Sequence, residues 1–178
     1  MKALFKGLAI TAVLLLAAGT SWADTFSVSV DTPVSYKFNE SALNADKASG
    51  VIVGVSLPFL IGIGGESYKV TGTVPGTGNS LENKVTMVDV YFDAPVPVIN
   101  LRLGAGVGKG EFDTPAGAGA FDTATMTQLF VNVGIPFAEV FDVHVGYHAI
   151  SGKAKEKASG LDASVGAKMF TVGLKVGF

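Results

Sequence analysis

The sequence predicts an all-β chain: a closed, antiparallel, eight-stranded up-and-down barrel that crosses a membrane. Three observations predict it. Apolar residues recur at a period of two along almost the whole chain after residue 24. The alternating segments approach the ~9–11 residues that a tilted membrane strand needs. Beyond the first twenty or so residues no long unbroken apolar stretch exists that could cross as a helix.

The first strand is the clearest. Phe26, Val28, Val30, Val34, Tyr36 and Phe38 fall on one face, and Ser27, Ser29, Asp31, Ser35 and Lys37 on the other. Side chains alternate sides along a strand, so one side is greasy and the other polar. The same alternation recurs at Val51–Leu57, Val88–Phe92, Leu101–Val107, Leu129–Ile135, Phe141–His148 and Val172–Phe178. The segment from Leu60 to Thr71 is less regular. Its apolar face changes from Ile61 and Ile63 to Tyr68 and Val70 across Gly64-Gly65, the shift that a β-bulge would produce.

Connections follow a weak internal repeat. Three pairs of strands meet at Pro-containing turns: Leu57-Pro58-Phe59, Asp93 to Pro97, and Ile135-Pro136-Phe137-Ala138. Proline cannot donate to a ladder, so it suits strand ends. The other connections, 39–49, 73–83, 111–122 and 154–162, are longer and polar. One hairpin offers a register. A turn centred between Pro95 and Val96 sets Phe92 opposite Ile99, Val90 opposite Leu101, Tyr91 opposite Asn100 and Asp89 opposite Arg102. Both faces then match.

The first residues carry an export signal. Lys2 and Lys6 precede an apolar run from Leu8 to Ala18, and Ser21 and Ala23 are the small residues of a cleavage site. The expected organisation is therefore a cleaved signal peptide at 1–23 and a barrel at 24–178. Losing Lys2 and Lys6 moves the formal charge from −2 to −4. A mildly acidic chain is a poor match for nucleic acid. There is no cysteine, hence neither a disulfide framework nor a lipid-attachment site.

A soluble barrel with its greasy face inward is the rival architecture. The polar face, with Asp31, Lys37, Asp89, Arg102, Asn132, Asp142, His144 and Lys175, is sparse for a solvent surface but suits an interior whose charges pair. Aromatics form two groups, as the two interfaces of a membrane barrel require. Phe26, Phe59, Phe92, Phe137, Phe141 and Phe178 lie near the turns; Tyr36, Phe38, Tyr68, Phe112 and Tyr147 lie near the loops. Inward glycines at 54, 104, 106, 134, 146 and 173 would relieve crowding inside so narrow a barrel.

The final residues, Thr171 to Phe178, resemble the C-terminal assembly signal of outer-membrane β-barrel proteins: polar, Gly, apolar and terminal aromatic at Thr171, Gly173, Val176 and Phe178. The mature chain as a whole resembles the small eight-stranded class typified by the OmpA transmembrane domain and OmpX. That resemblance implies residence in the outer membrane among its lipid and lipopolysaccharide. It also implies passage through periplasmic chaperones and insertion by the barrel-assembly machinery. It assigns no activity, and no peptidoglycan-binding domain like that of OmpA accompanies the barrel.

Gly104 to Gly110 has the wrong residues at Leu103 and Gly110 for a phosphate-binding loop. Asp31, Asp89, Arg102, Asn132, Asp142, His144 and Lys175 are expected to form an interior polar network, with Asp89 facing Arg102 and Asp142 facing Lys175. Such a network could gate a pore, but an eight-stranded interior leaves little room for one. His144 and His148 are too far apart along one strand to share a metal directly. Asn132 and Gln128 are their expected neighbours. A lipid A-modifying enzyme would need a nucleophile and base such as Ser151 and His148, with Glu156 as the acid. Three residues apart on a strand, Ser151 and His148 point to opposite faces. The expectation is therefore a non-catalytic outer-membrane barrel without cofactor or metal, with a structural or surface-interaction role. A lipid A-modifying enzyme and a narrow solute pore are the alternatives.

Overall fold

The structure, a computed structural model, describes residues 26–178 apart from 41–42, 75–78, 95, 97, 114–120, 139, 156, 158–159 and 161. The expected signal peptide and Glu156 lie outside the described residues. Nine strand segments follow in order: β1 (Ser27–Phe38), β2 (Asn44–Ser56), β3 (Ile61–Val74), β4 (Asn79–Ala94), β5 (Asn100–Asp113), β6 (Ala124–Ala138), β7 (Phe141–Lys155), β8 (Asp162–Ser164) and β9 (Ala167–Gly177). β8 and β9 both pair with β7 and are two pieces of one barrel strand, interrupted at Val165-Gly166. Each strand pairs antiparallel with its sequence neighbour, and β1 pairs with β9 to close the ring. The fold is thus a closed eight-stranded up-and-down barrel, as the alternation predicts. Closure leaves no unpaired edge, which a sheet in lipid requires. Among the described residues no helix is long and apolar enough to cross a membrane.

The strands run further on the loop side than their apolar patterns suggest. β2 begins at Asn44 rather than Val51, and β4 at Asn79 rather than Val88. The reason is visible on β4. Toward the turns, Val88, Val90 and Phe92 face out and Asp89 and Tyr91 face in. Toward the loops, Ser80, Lys84 and Thr86 face out, while Leu81, Val85 and Met87 face in. The period stays at two, but the greasy side changes from outside to inside.

Three expectations are corrected, the first by this inversion. β3 has no bulge at Gly64-Gly65: its pairing with both neighbours runs unbroken there, and Glu66, Tyr68 and Val70 stay on the inward side with Gly62. The pattern shifts because the surroundings change. Second, Tyr36, Phe38, Tyr68 and Phe112 form no outer girdle; they are buried inside the loop-side half. Tyr36 and Phe38 reach the interior because β1 shifts register between Pro33 and Ser35, which also turns Lys37 outward. Tyr147 does lie on the outer wall, beside Phe170 at 5.2 Å. Third, the Ile135–Ala138 turn is displaced. β6 continues to Ala138, with a register shift between Pro136 and Ala138 that accommodates the missing N–H.

The six turn-side phenylalanines all point outward. On β7 the outward apolar run extends over nine residues, from Phe141 to Ala149. That matches the hydrocarbon crossing of a tilted strand, about 9–11 residues.

Candidate functional site

The lumen of the turn-side half is the only large concentration of buried polar chemistry among the described residues. It is built in three tiers. The first centres on Arg102 of β5. Its Nε donates to Asp93 Oδ1 at 2.8 Å, its Nη1 to Ser29 at 2.8 Å and its Nη2 to Ser56 at 3.2 Å. The guanidinium also lies 3.9 Å above the Tyr91 ring. Asp93 also accepts from Arg102 Nη2 at 3.4 Å and from Ser56 at 2.5 Å. Four strands thus converge on one cation. The Tyr91 ring fits only because Gly62 lies beneath it: a Cβ there would come within 2.0 Å of the ring.

The expected Asp89–Arg102 pair is not formed. Asp93 is the residue opposite Arg102, and Asp89 is opposite Gly106. The hairpin is shifted by four residues from the register expected. An even shift keeps every side chain on its own face, so alternation alone could not reject it. Packing does. Tyr91 then faces Gly104 rather than Asn100, and Asp89 sits over Gly106, where a Cβ would collide with its carboxylate.

The second tier is a histidine bridge. His144 Nε2 lies 2.6 Å from Asp31 Oδ1, and its Nδ1 lies 3.2 Å from Asp142 Oδ1. Asn100 donates to Asp142 from the next hairpin. Asp142 is opposite Lys175 across β7 and β9, the pairing expected from sequence. The third tier lies deeper. Gln128 donates to both Glu66 and Asp89 at 2.7 Å, and its oxygen faces His148 Nδ1 at 3.1 Å. His148 stacks on Phe130 with ring centroids 5.0 Å apart.

Asp31, Asp89, Arg102, Asn132, Asp142 and His144 are buried in the lumen, and Lys175 lies partly buried at its turn end. Asn132 neighbours Arg102 and Gly146 rather than either histidine. Sequence reading missed Asp93, Ser29, Ser56, Asn100 and Glu66. Asp93 was legible, because it continues the inward parity of Asp89 and Tyr91. Glu66 was hidden by the assumed bulge.

Ser151 and His148 stand on opposite walls: Ser151 faces out and His148 is 2% exposed inside. A second constellation has the order of a hydrolytic relay, with Thr171 Oγ1 3.5 Å from His148 Nε2 and Glu66 Oε1 3.5 Å from His148 Nδ1. Thr171 is 1% exposed, so no substrate reaches it without opening the barrel. Among the described residues, no cluster of His, Asp or Glu is arranged to hold a metal ion.

A cavity of about 20 Å³ lies at the turn-side mouth, lined by residues that include Asp93, Arg102, Asp142, His144 and Lys175. That is room for about one water. Above the third tier, Met87, Met126 and Met169 close the bore, each no more than 1% exposed.

The same architecture occurs in solved membrane proteins. Neisserial surface protein A (NspA) superimposes with a TM-score of 0.67 at 14% identity, over 86% of this chain and 97% of that one. OprG of Pseudomonas aeruginosa matches with a TM-score of 0.54 at 13% identity, over 88% of this chain and 96% of that one. The fold is that of the small eight-stranded outer-membrane barrels. AlkL, solved in lipid bilayers, matches with a TM-score of 0.56 at 9% identity, over 89% of this chain and 92% of that one. No family model and no curated protein matches the sequence. At such identities the likeness extends to the fold.

Proposed function

We propose that this chain is a non-catalytic integral protein of the outer membrane, with a structural or surface-interaction role. The observation that carries this reading is the filled lumen inside an apolar outer wall. Among the described residues, three tiers of polar groups and a methionine layer fill the bore. The one relay-like cluster is sealed from any substrate. A barrel of this kind acts through its outer wall and its loops. The test is conductance in planar bilayers after purification in the folded, heat-modifiable form. No steady channel is expected. Stable ion-conducting steps would replace this reading with a narrow pore. Mass spectrometry of lipid A from cells with and without the protein tests the enzymatic alternative; unchanged acylation is expected.

The biogenesis reading belongs to the same proposal. Residues 1–23 act as a cleaved export signal, so the mature protein should begin at Asp24 on N-terminal sequencing. Thr171, Gly173, Val176 and Phe178 serve the barrel-assembly machinery after delivery by periplasmic chaperones. Phe178→Ala should lower outer-membrane levels at low expression and raise periplasmic degradation. Unchanged levels would remove that role from Phe178.

A further inference from the structure

The outer wall changes chemistry abruptly at the loop side of its apolar belt. The first outward residue beyond the belt is a hydroxyl on six strands: Ser35, Ser49, Ser67, Thr86, Thr127 and Ser151. On β5 and β9 it is a lysine, Lys109 and Lys168. One step further out stand Lys37, Lys47, Lys69, Lys84 and Lys153, against the single carboxylate Glu111. The turn-side edge is the opposite: among the described residues no lysine faces outward there, and the rim is phenylalanine, leucine and isoleucine.

The cations concentrate on one wall. Lys69 of β3 stands directly opposite Lys84 of β4. Like charges in that position repel. Glu82, one position further out, contacts both, at 2.5 Å and 3.4 Å. The two ammonium groups hold its carboxyl below the usual carboxylate range, Lys69 foremost. Glu82 is shared by Lys69 and Lys84, and Glu111 stands opposite Lys84, so three lysines, with Lys109, meet two carboxylates and one positive charge is left over. Lys109 has no carboxylate within ion-pair reach among the described residues. Between these lysines lies a pocket of about 470 Å³, completed by Ser49, Ser67, Thr86 and Glu111. It opens on the outer wall, directly above Val51, Val88 and Val107 of the apolar belt.

A site at this height, apolar below and cationic above, fits one ligand chemistry: a phosphorylated lipid headgroup whose acyl chains lie against the belt. We propose that the Lys69–Lys84–Lys109 wall binds a phosphate-bearing glycolipid of the outer leaflet, with Ser49, Ser67 and Thr86 as hydrogen-bond donors. Ammonium groups satisfy phosphate as point charges, and the hydroxyls give direction. The belt places the acyl chains, so the lipid is held at both ends. The site also orients the barrel, loops outward, because only the loop-side rim carries it. The inference rests on the barrel spanning the outer membrane.

The test uses the full mature protein folded into neutral phosphatidylcholine bilayers. Diphosphoryl lipid A, the same lipid stripped of phosphate, and inorganic phosphate are the three probes. Retention of lipid is read by native mass spectrometry, alongside the shift in thermal midpoint. Wild type should retain diphosphoryl lipid A and gain stability from it, and the dephosphorylated form should be retained far less. The triple variant Lys69→Gln, Lys84→Gln, Lys109→Gln should bind it on the order of 100-fold more weakly. Equal retention by wild type and variant, or equal retention of both lipids, would overturn the site. Displacement of lipid A by millimolar inorganic phosphate would assign the pocket to free phosphate and overturn the lipid reading. Insertion of both proteins into neutral bilayers, seen as heat-modifiable mobility, is scored independently. It separates failure of this site from failure of the membrane reading.

Discussion

β4 passes through two environments. From Val88 to Phe92 its outward side chains are apolar and its inward ones are Asp89 and Tyr91; from Ser80 to Thr86 the outward ones are polar and the inward ones are Leu81, Val85 and Met87 among a single polar Asn83. The turn-side half is a membrane barrel with a polar filling. The loop-side half is built like a soluble barrel, with Phe38, Val70, Met126 and Ile150 packed inside and lysines and hydroxyls outside. One sheet does both because the pleat fixes only which residues share a side, and leaves open which side meets water. The solvent outside decides that. Lipid accepts apolar side chains, and polar ones then fill the narrow bore. Where the strands emerge, the hydrophobic effect sends the apolar residues inward again.

The two halves should fail differently when cut. The largest effect is expected in the polar half. Asp93→Ala leaves the Arg102 guanidinium buried without its carboxylate, which should cost about 3–5 kcal/mol in urea titrations of the detergent-folded protein. Replacing Arg102 by Met in the same chain should restore much of that loss. Asp89→Ala should cost less than Asp93→Ala, because Gln128 keeps its bond to Glu66. The opposite ranking would mean that the Asp93–Arg102 register is wrong.

The apolar half should behave like any packed core. Met126→Ala opens a cavity inside the barrel, over Gly110 of β5 and Gly152 of β7, with an expected cost of about 2–5 kcal/mol by the same titration. Back in the polar half, a smaller loss of about 1–3 kcal/mol is expected for Gly104→Ala, whose new methyl would lie 2.2 Å from the Phe130 ring and force it aside. The smallest effect should come from the lipid wall. Val90→Ala removes as much greasy surface as many core changes, yet lipid fills the gap, and a loss of no more than about 0.5 kcal/mol is expected. A Val90→Ala cost equal to that of Met126→Ala would mean that Val90 packs against protein instead of lipid.

The same inversion explains what could be read from sequence. The barrel, its strand count and the alternation of turns with loops were legible, because lipid-facing valines repeat without interruption. The loop-side extensions were not. At Tyr68 and Tyr36 an inward aromatic looks identical, in a period-two pattern, to an outward girdle residue. Only the polar partners at Ser67, Lys69 and Lys37 distinguish the two, and on a membrane strand they read as an inward face. The interior network was legible only in part: the inward parity of Asp31, Asp89, Arg102, Asn132, Asp142 and His144 could be read, but Asp93, Ser29, Ser56, Asn100 and Glu66 were missed and the partner of Arg102 was not fixed. Parity places Asp89, Asp93 and Arg102 on one face. Choosing Asp93 over Asp89 depends on where the Tyr91 ring and the Gly104 gap meet.

The most direct test is a depth scan along β4. The chain has no cysteine, so single cysteines at Ser80, Glu82, Lys84, Thr86, Val88, Val90 and Phe92 can each carry a nitroxide without background labelling. In lipid bilayers, collision with oxygen reports hydrocarbon and collision with a water-soluble nickel chelate reports solvent. A step from chelate to oxygen between Thr86 and Val88 is expected, with all positions toward Phe92 on the oxygen side. Oxygen contact continuing to Ser80, or chelate contact at Val88 and Val90, would contradict a barrel whose two halves face opposite solvents.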